Sequence, residues 1–206
     1  ILDKPVVLAW TPAGLDPRFV SRVRARVPAM VVVKSGTAWL KESRDQDGAM
    51  IDRVPDPYAI PMETASIDPA RYRGFVLPSD RWMLRELASR DRDQVPGAIL
   101  GSTSARVRRV RAGGSLLLDG QRVRVIGVLP DEFVGANELV VGPRTGRRLG
   151  IDRARYMLID PGAMGRAHLT RLVESSAGGP VQVRWPGETP FLRQGDAVQP
   201  QVILKE

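Results

Sequence analysis

An α+β fold is what this 206-residue sequence predicts: a split βαβ (ferredoxin-like) lobe formed by both chain ends, with a β-rich lobe inserted between them. Three observations carry that expectation. A strand–helix–strand pattern occurs near each end, and a series of short strand patterns fills the middle. Residues 97–130 read as a strand, a capped basic helical turn, a glycine pair and a tight hairpin. The lobes then comprise residues 1–42 with 151–206, and residues 43–150.

The first unit opens with the apolar strand Val6-Val7-Leu8-Ala9-Trp10. Asp16 supplies a helix N-cap and Pro17 the first helical position, where a missing N–H leaves nothing unsatisfied. Residues 17–27 place Phe19, Val20, Val23 and Val27 on one face, with Arg18, Arg22, Arg24 and Arg26 largely elsewhere. Pro28 ends the helix, and residues 30–34 return as a β-branched strand. The polar residues 43–57 make a hairpin end or loop. Residues 59–62 and 74–77 are strand-like, with a loop or single helical turn over 66–73 between them. Ser79 caps a helix over residues 80–89. Asp119-Gly120 between apolar runs is the strongest hairpin signal, because a type I′ turn needs positive φ at both positions. Leu116, Leu118, Val123 and Val125 share one side or the other according to register. Residues 138–141 add a strand. The second unit runs from Tyr156-Met157-Leu158-Ile159 through the start signal Asp160-Pro161 into a helix reaching residue 175. Gly178-Gly179 stop it, and residues 181–185 form the returning strand.

Composition excludes more than it assigns. Hydrophobic residues make up 43% of the chain, enough for one sizeable core or two small lobes. No apolar run approaches the ~18 residues of a membrane span. With no cysteine there is no disulfide, no thiolate metal site and no cysteine nucleophile. The chain begins at Ile1 and stops at Ile203-Leu204-Lys205-Glu206, as a piece of a longer protein would, with targeting and anchoring segments outside it. The net charge of +8 is carried almost wholly by arginine; Lys4, Lys34, Lys41 and Lys205 are the lysines. Such a skew reads as arginine-biased coding more readily than as selection for guanidinium geometry.

Within residues 113–130, GGSLLLDGQRVRVIGVLP, the positions Gly114, Leu116, Leu118, Gly120, Val125, Gly127 and Val128, preceded by Gly101, follow a glycine-flanked strand motif. In this motif the sequence resembles the periplasmic core domain of MacB/FtsX-type ABC-transporter permeases. The resemblance implies an α/β lobe with a β-rich lobe inserted, the order read independently above. A second stretch, Thr189-Pro190-Phe191-Leu192-Arg193 through residues 200–206, is similar to the connector of some actinobacterial envelope proteins. There such a domain precedes a D-alanyl-D-alanine carboxypeptidase-like peptidase. That likeness implies an active site beyond Glu206. The His/Asp zinc pattern of those peptidases is absent from this chain, so no catalytic residue carries over.

The residues themselves offer little chemistry. His168 is the one histidine, too few for a metal site, and reads as a surface or half-buried helix residue. Ser115, Ser175 and Ser176 lack a Gly-x-Ser-x-Gly elbow. The acidic groups Asp45/Asp47, Asp91/Asp93 and Asp131-Glu132 are interleaved with arginines and read as solvated loops. Residues 45–48 lack the downstream glutamate of a calcium loop, and no glycine run matches a phosphate loop. No catalytic, cofactor-binding or metal residue is therefore assigned, and no cofactor. Trp10, Trp39, Trp82 and Trp185 fall in strand or helix patterns and read as core.

The densest basic cluster is the candidate interaction patch: Arg106, Arg108, Arg109 and Arg111, with Arg122 and Arg124 on the hairpin. Functionally it suits an anionic polymer or lipid headgroup, but a solvated helix face is the reading the residues favour. The resulting expectation is a non-catalytic extracytoplasmic interaction or spacer module, membrane-tethered or at the cell surface in the full-length protein. Its partner is a protein or an envelope component, and it meets the membrane only through segments outside this chain. Nucleic acid ranks last, since aromatics are 5% and do not interleave the arginines. The alternatives are an accessory domain of a cell-wall peptidase and an arginine-rich binder of nucleic acid or another anionic polymer.

Overall fold

The structure, a computed structural model, describes residues 6–27, 29–130 and 137–185. The chain runs β1 (Val7–Trp10), α1 (Pro17–Arg26), β2 (Met30–Arg44), β3 (Met50–Arg53), β4 (Ile60–Ser66), α2 (Pro69–Tyr72), α3 (Arg81–Arg90), β5 (Gly97–Gly101) and α4 (Ser102–Arg108). It continues β6 (Ser115–Leu118), β7 (Gln121–Leu129), β8 (Leu139–Val141), α5 (Pro143–Arg148), β9 (Ala154–Ile159), α6 (Arg166–Ser176) and β10 (Gln182–Arg184). The class is α+β, as the sequence predicts.

One strand organises the rest. β2 is 15 residues long, three times the five-residue strand read from the sequence. Its start, Met30 to Lys34, pairs with β9. Its middle, Lys34 to Leu40, pairs with β4, and its end pairs with β6 and β3. Two structures therefore share it. On one side lie four antiparallel strands in the order β10-β1-β9-β2. On the other, the path β2-β4-β8-β5-β7-β6 returns to β2 and closes a six-stranded barrel. Closure leaves these strands without a free edge, which removes a template for unwanted pairing.

Period-two alternation then sorts side chains into three cores. Val7, Ala9, Met30, Met157 and Ile159 face α1 and α6, where Phe19, Val20, Val23, Leu169 and Val173 cover them. Leu8, Val31, Val33 and Leu158 point the other way, against Tyr72, Phe75, Leu84 and Leu87 of the segment through α2 and α3. That second core also takes Ala65, Ile99, Leu129 and Val140 from barrel strands. The barrel interior holds Leu40, Met62, Leu100, Leu116, Leu118, Val123, Val125 and Leu139.

Local rules explain most element ends. Asp16 Oδ1 accepts from the N–H groups of Arg18 and Phe19 at 2.7 and 3.2 Å, with Pro17 opening α1 as expected. The hairpin turns at Asp119 (φ 45°) and Gly120 (φ 80°), with Leu116 opposite Val123. Five readings need correction. The helix expected from Asp160-Pro161 begins at Arg166, because Asp160 Oδ1 accepts from Gly162 N–H and closes a turn in which Gly162 has φ 53°. It ends at Ser176 with Ala177 extended, before the glycine pair. Residues 73–75 form a 3₁₀ turn rather than a strand, tucking Phe75 beside Tyr72, with ring centroids 6.3 Å apart. A further 3₁₀ turn over Pro78–Asp80 leads into α3, whose start has no side-chain cap; Ser79 donates instead to Asp80. α4 likewise starts from Gly101 without a side-chain cap. Asp131, Glu132 and the stretch Thr189 to Glu206 lie outside the described residues.

Candidate interaction surface

The six selected arginines lie on α4, on the segment just after it and on β7, and local geometry divides them. α4 stops where Arg109 takes a left-handed conformation (φ 55°) and its N–H returns to Ala105 and Arg106 carbonyls. Val110 then drops into the barrel core, 1% exposed, donating its N–H to Ala105. Arg109 and Arg111, on either side of it, are thrown outward. Arg106 and Arg124 are exposed as well, and Val107, between Arg106 and Arg108, is 71% exposed.

Arg108 and Arg122 are used internally. Arg108 donates to Ser104 Oγ at 3.0 Å and to Glu138 Oε2 at 2.9 Å, tying α4 to the approach to β8. Arg122 Nη2 reaches Glu42 Oε1 at 2.7 Å, and Arg44 Nε reaches the same oxygen at 2.6 Å. Glu42 is buried, yet the hydrogen bonds from Arg44 and then Arg122 outweigh desolvation and hold its carboxyl down at about 2. The outward-facing set is thus Arg106, Arg109, Arg111 and Arg124.

The other candidates are dispersed. His168 is exposed on α6. Ser115 accepts from Arg122, and Ser175 and Ser176 both donate to Leu172 carbonyl within α6. Asp45 Oδ1 accepts from Asp47 and Ala49 N–H groups and shapes its own turn. Asp91 is a correction: it is 7% exposed rather than solvated. Its carboxylate accepts from Arg144 N–H at 2.9 Å and from Thr145 N–H and Oγ1 at 3.0 and 2.9 Å, capping α5 from more than fifty residues away. The signal was available, since Gly142-Pro143 starts a helix with no cap of its own. Trp39 and Trp82 are 48% and 47% exposed, against the core reading. Trp10 and Trp185 do pack against cores, and Trp185 Nε1 donates to Thr170. Among the described residues, no group of three or more His, Asp or Glu has the arrangement of a metal site, and no helix is long and apolar enough to cross a membrane.

No protein-family model matches the chain, and no curated protein matches it in sequence. Solved structures do match. The periplasmic region of MacB from Actinobacillus actinomycetemcomitans aligns over 89% of this chain and 90% of its own, with a TM-score of 0.53 and 11% identity. The chain has the fold of a MacB periplasmic region. The extracellular domain of the noncanonic ABC-type transporter YknZ from Gram-positive bacteria aligns over 88% of this chain and 100% of its own, at a TM-score of 0.49 and 15% identity.

Within this MacB-type fold the glycine motif has a physical reason at each turn. A Cβ on Gly114 would lie 2.7 Å from the Arg44 carbonyl, and one on Gly127 would lie 2.4 Å from Met83 Sδ. Gly120 supplies the positive φ of the hairpin, and Leu116, Leu118 and Val125 fill the barrel. The motif marks close approach to the backbone at Gly114 and to the Met83 side chain at Gly127.

Proposed function

We propose that this chain is a non-catalytic extracytoplasmic module that makes protein contacts, or sets spacing, at the cell envelope in the manner of a permease periplasmic domain. The observation that carries the reading is the MacB-type fold spanning 89% of the chain. The strand order β10-β1-β9-β2 supports reading the chain-end lobe, residues 1–42 with 151–206, as a ferredoxin-like split βαβ. Residues 43–150 are then the inserted lobe, joined to it through β2. Arg106, Arg109, Arg111 and Arg124, with the exposed Val107, form the contact face. Arg108 and Arg122 hold that face in shape. In the full-length protein the module is tethered at the membrane by other segments.

A photo-crosslinking residue at position 107, in the full-length protein in its own cells, tests both parts. We expect crosslinks to an envelope protein that disappear when Arg106, Arg109 and Arg111 are changed to Glu. A phosphatase reporter fused to the module is expected to be active outside the cytoplasm. A reporter active only inside, or a crosslink pattern indifferent to charge reversal, overturns the reading.

A further inference from the structure

The seam where β2 passes from the four-stranded sheet into the barrel contains a cavity of about 310 Å³. Its walls come from both structures: Arg24 of α1, Val32 and Lys34 of β2, and Ile67, Asp68 and Arg71 around the start of α2. We propose that it binds the oxyanion of a phosphate group, free or carried by a phospholipid headgroup.

Charge is the first argument. Three cations line the cavity against the one carboxylate of Asp68. Asp68 is itself engaged: Oδ1 accepts from Ala70 and Arg71 N–H groups, and Oδ2 lies 3.4 Å from Arg71 Nε. It orients the Arg71 fork without neutralising Arg24 or Lys34. The second argument is an unmet donor. Arg24 Nε is buried and donates to nothing among the described residues, a state that normally demands a partner. A buried N–H on a cationic guanidinium is matched by an oxyanion better than by water, because a charge-assisted hydrogen bond is the stronger one.

The backbone supplies a third argument. Asp160 N–H donates to the Ala29 carbonyl and Ser35 N–H to that of Arg153, so odd-numbered residues of this stretch turn their polar groups toward β9. Val32 therefore turns its N–H and C=O the other way. On that side β4 pairs no further than Ser66 opposite Lys34, which leaves the Val32 edge open to the cavity. Its N–H adds a neutral donor beside two forks and an ammonium. Forked donors plus a point charge suit the tetrahedral array of phosphate oxygens. The volume leaves room for an ester substituent. This site is separate from the arginine face on α4, and it does not depend on the envelope reading.

The test is an amide-shift titration of the 206-residue chain with inorganic phosphate at low ionic strength. Vesicles of phosphatidylglycerol and of phosphatidylcholine form parallel arms. Saturable shifts at Val32 and Lys34 are expected. Arg24→Gln and Arg71→Gln should each weaken binding about tenfold, and Arg53→Gln, exposed on β3 away from both the cavity and the arginine patch, should leave it unchanged. Arg71 is half-exposed, so its variant folds even if loss of Arg24 disturbs α1. Binding in the phosphate arm alone identifies a free anion as the source; binding also to phosphatidylglycerol, lost in both variants, identifies a headgroup. Shifts that never saturate, or binding indifferent to Arg24 and Arg71 in every arm, overturn the proposal.

Discussion

Single side chains set two of the measurable properties of this fold. Glu42 is a buried carboxylate whose one oxygen receives Arg44 and Arg122, and its pKa falls from the ordinary 4.5 to about 2. A lowered folded-state pKa stabilises the protein fully above pH 4.5, and that stabilisation is lost as pH falls toward about 2. The two arginine side chains are 37% and 31% exposed, so screening reduces what the cluster contributes. Glu42→Gln should lower stability by about 1–2 kcal/mol at neutral pH. Denaturant midpoints of parent and variant should converge across that acid window; a constant gap would show that Glu42 is not the titrating group. Asp91 acts differently, through three hydrogen bonds to the start of α5. Its replacement by Ala strands buried donors and should destabilise by about 2–3 kcal/mol. Asn keeps one accepting oxygen and should be milder, as urea midpoints of the two variants will show.

At the scale of elements, close backbone approach decides which glycines matter. A Cβ at Gly114 meets the Arg44 carbonyl at 2.7 Å and the Arg111 carbonyl at 3.1 Å, both main-chain atoms that cannot swing aside. At Gly127 the obstacle is Met83 Sδ at 2.4 Å, on a flexible side chain that can rotate. Gly114→Ala should therefore cost about 2–4 kcal/mol and separate β6 from β2, whereas Gly127→Ala should cost about 1 kcal/mol. Equal losses in thermal melts would contradict this ordering. These same elements show what could be read in advance. α1, the hairpin and the strands at 6–10 and 156–159 were legible because each rests on local signals: an Asx cap, a type I′ turn, apolar runs. The start of α6 was not, since Asp160 serves equally well as a cap or as an Asx turn, and only Gly162 at φ 53° decides. The length of β2 was hidden too, because its continuation through Gly36 rests on pairing with Thr64 of β4, a non-local contact. Of the arginine patch, sequence located the cluster. It could not separate Arg108 and Arg122, whose partners Glu138 and Glu42 lie 30 and 80 residues away.

For the whole molecule, barrel closure was beyond any local reading: β2 meets β6 across more than seventy residues, and β4–β8 and β5–β7 pair in parallel. Closure has a mechanical consequence. β2 belongs to both the four-stranded sheet and the barrel, and one core mixes Leu8, Val31 and Leu158 with Ile99, Leu129 and Val140. Neither part can lose its strands without stripping a face from the other. At 206 residues the chain exceeds the about 150 below which a single transition is the default, so cooperativity here must come from this sharing. Leu116→Ala, a cavity deep in the barrel, should cost about 2–5 kcal/mol. That loss should appear equally in hydrogen exchange of Val123 and Val125 in the barrel and of Leu8 and Ala9 at the far side of the sheet. If the sheet amides kept their protection while the barrel amides lost theirs, β2 would be a hinge between independent bodies, not a shared beam.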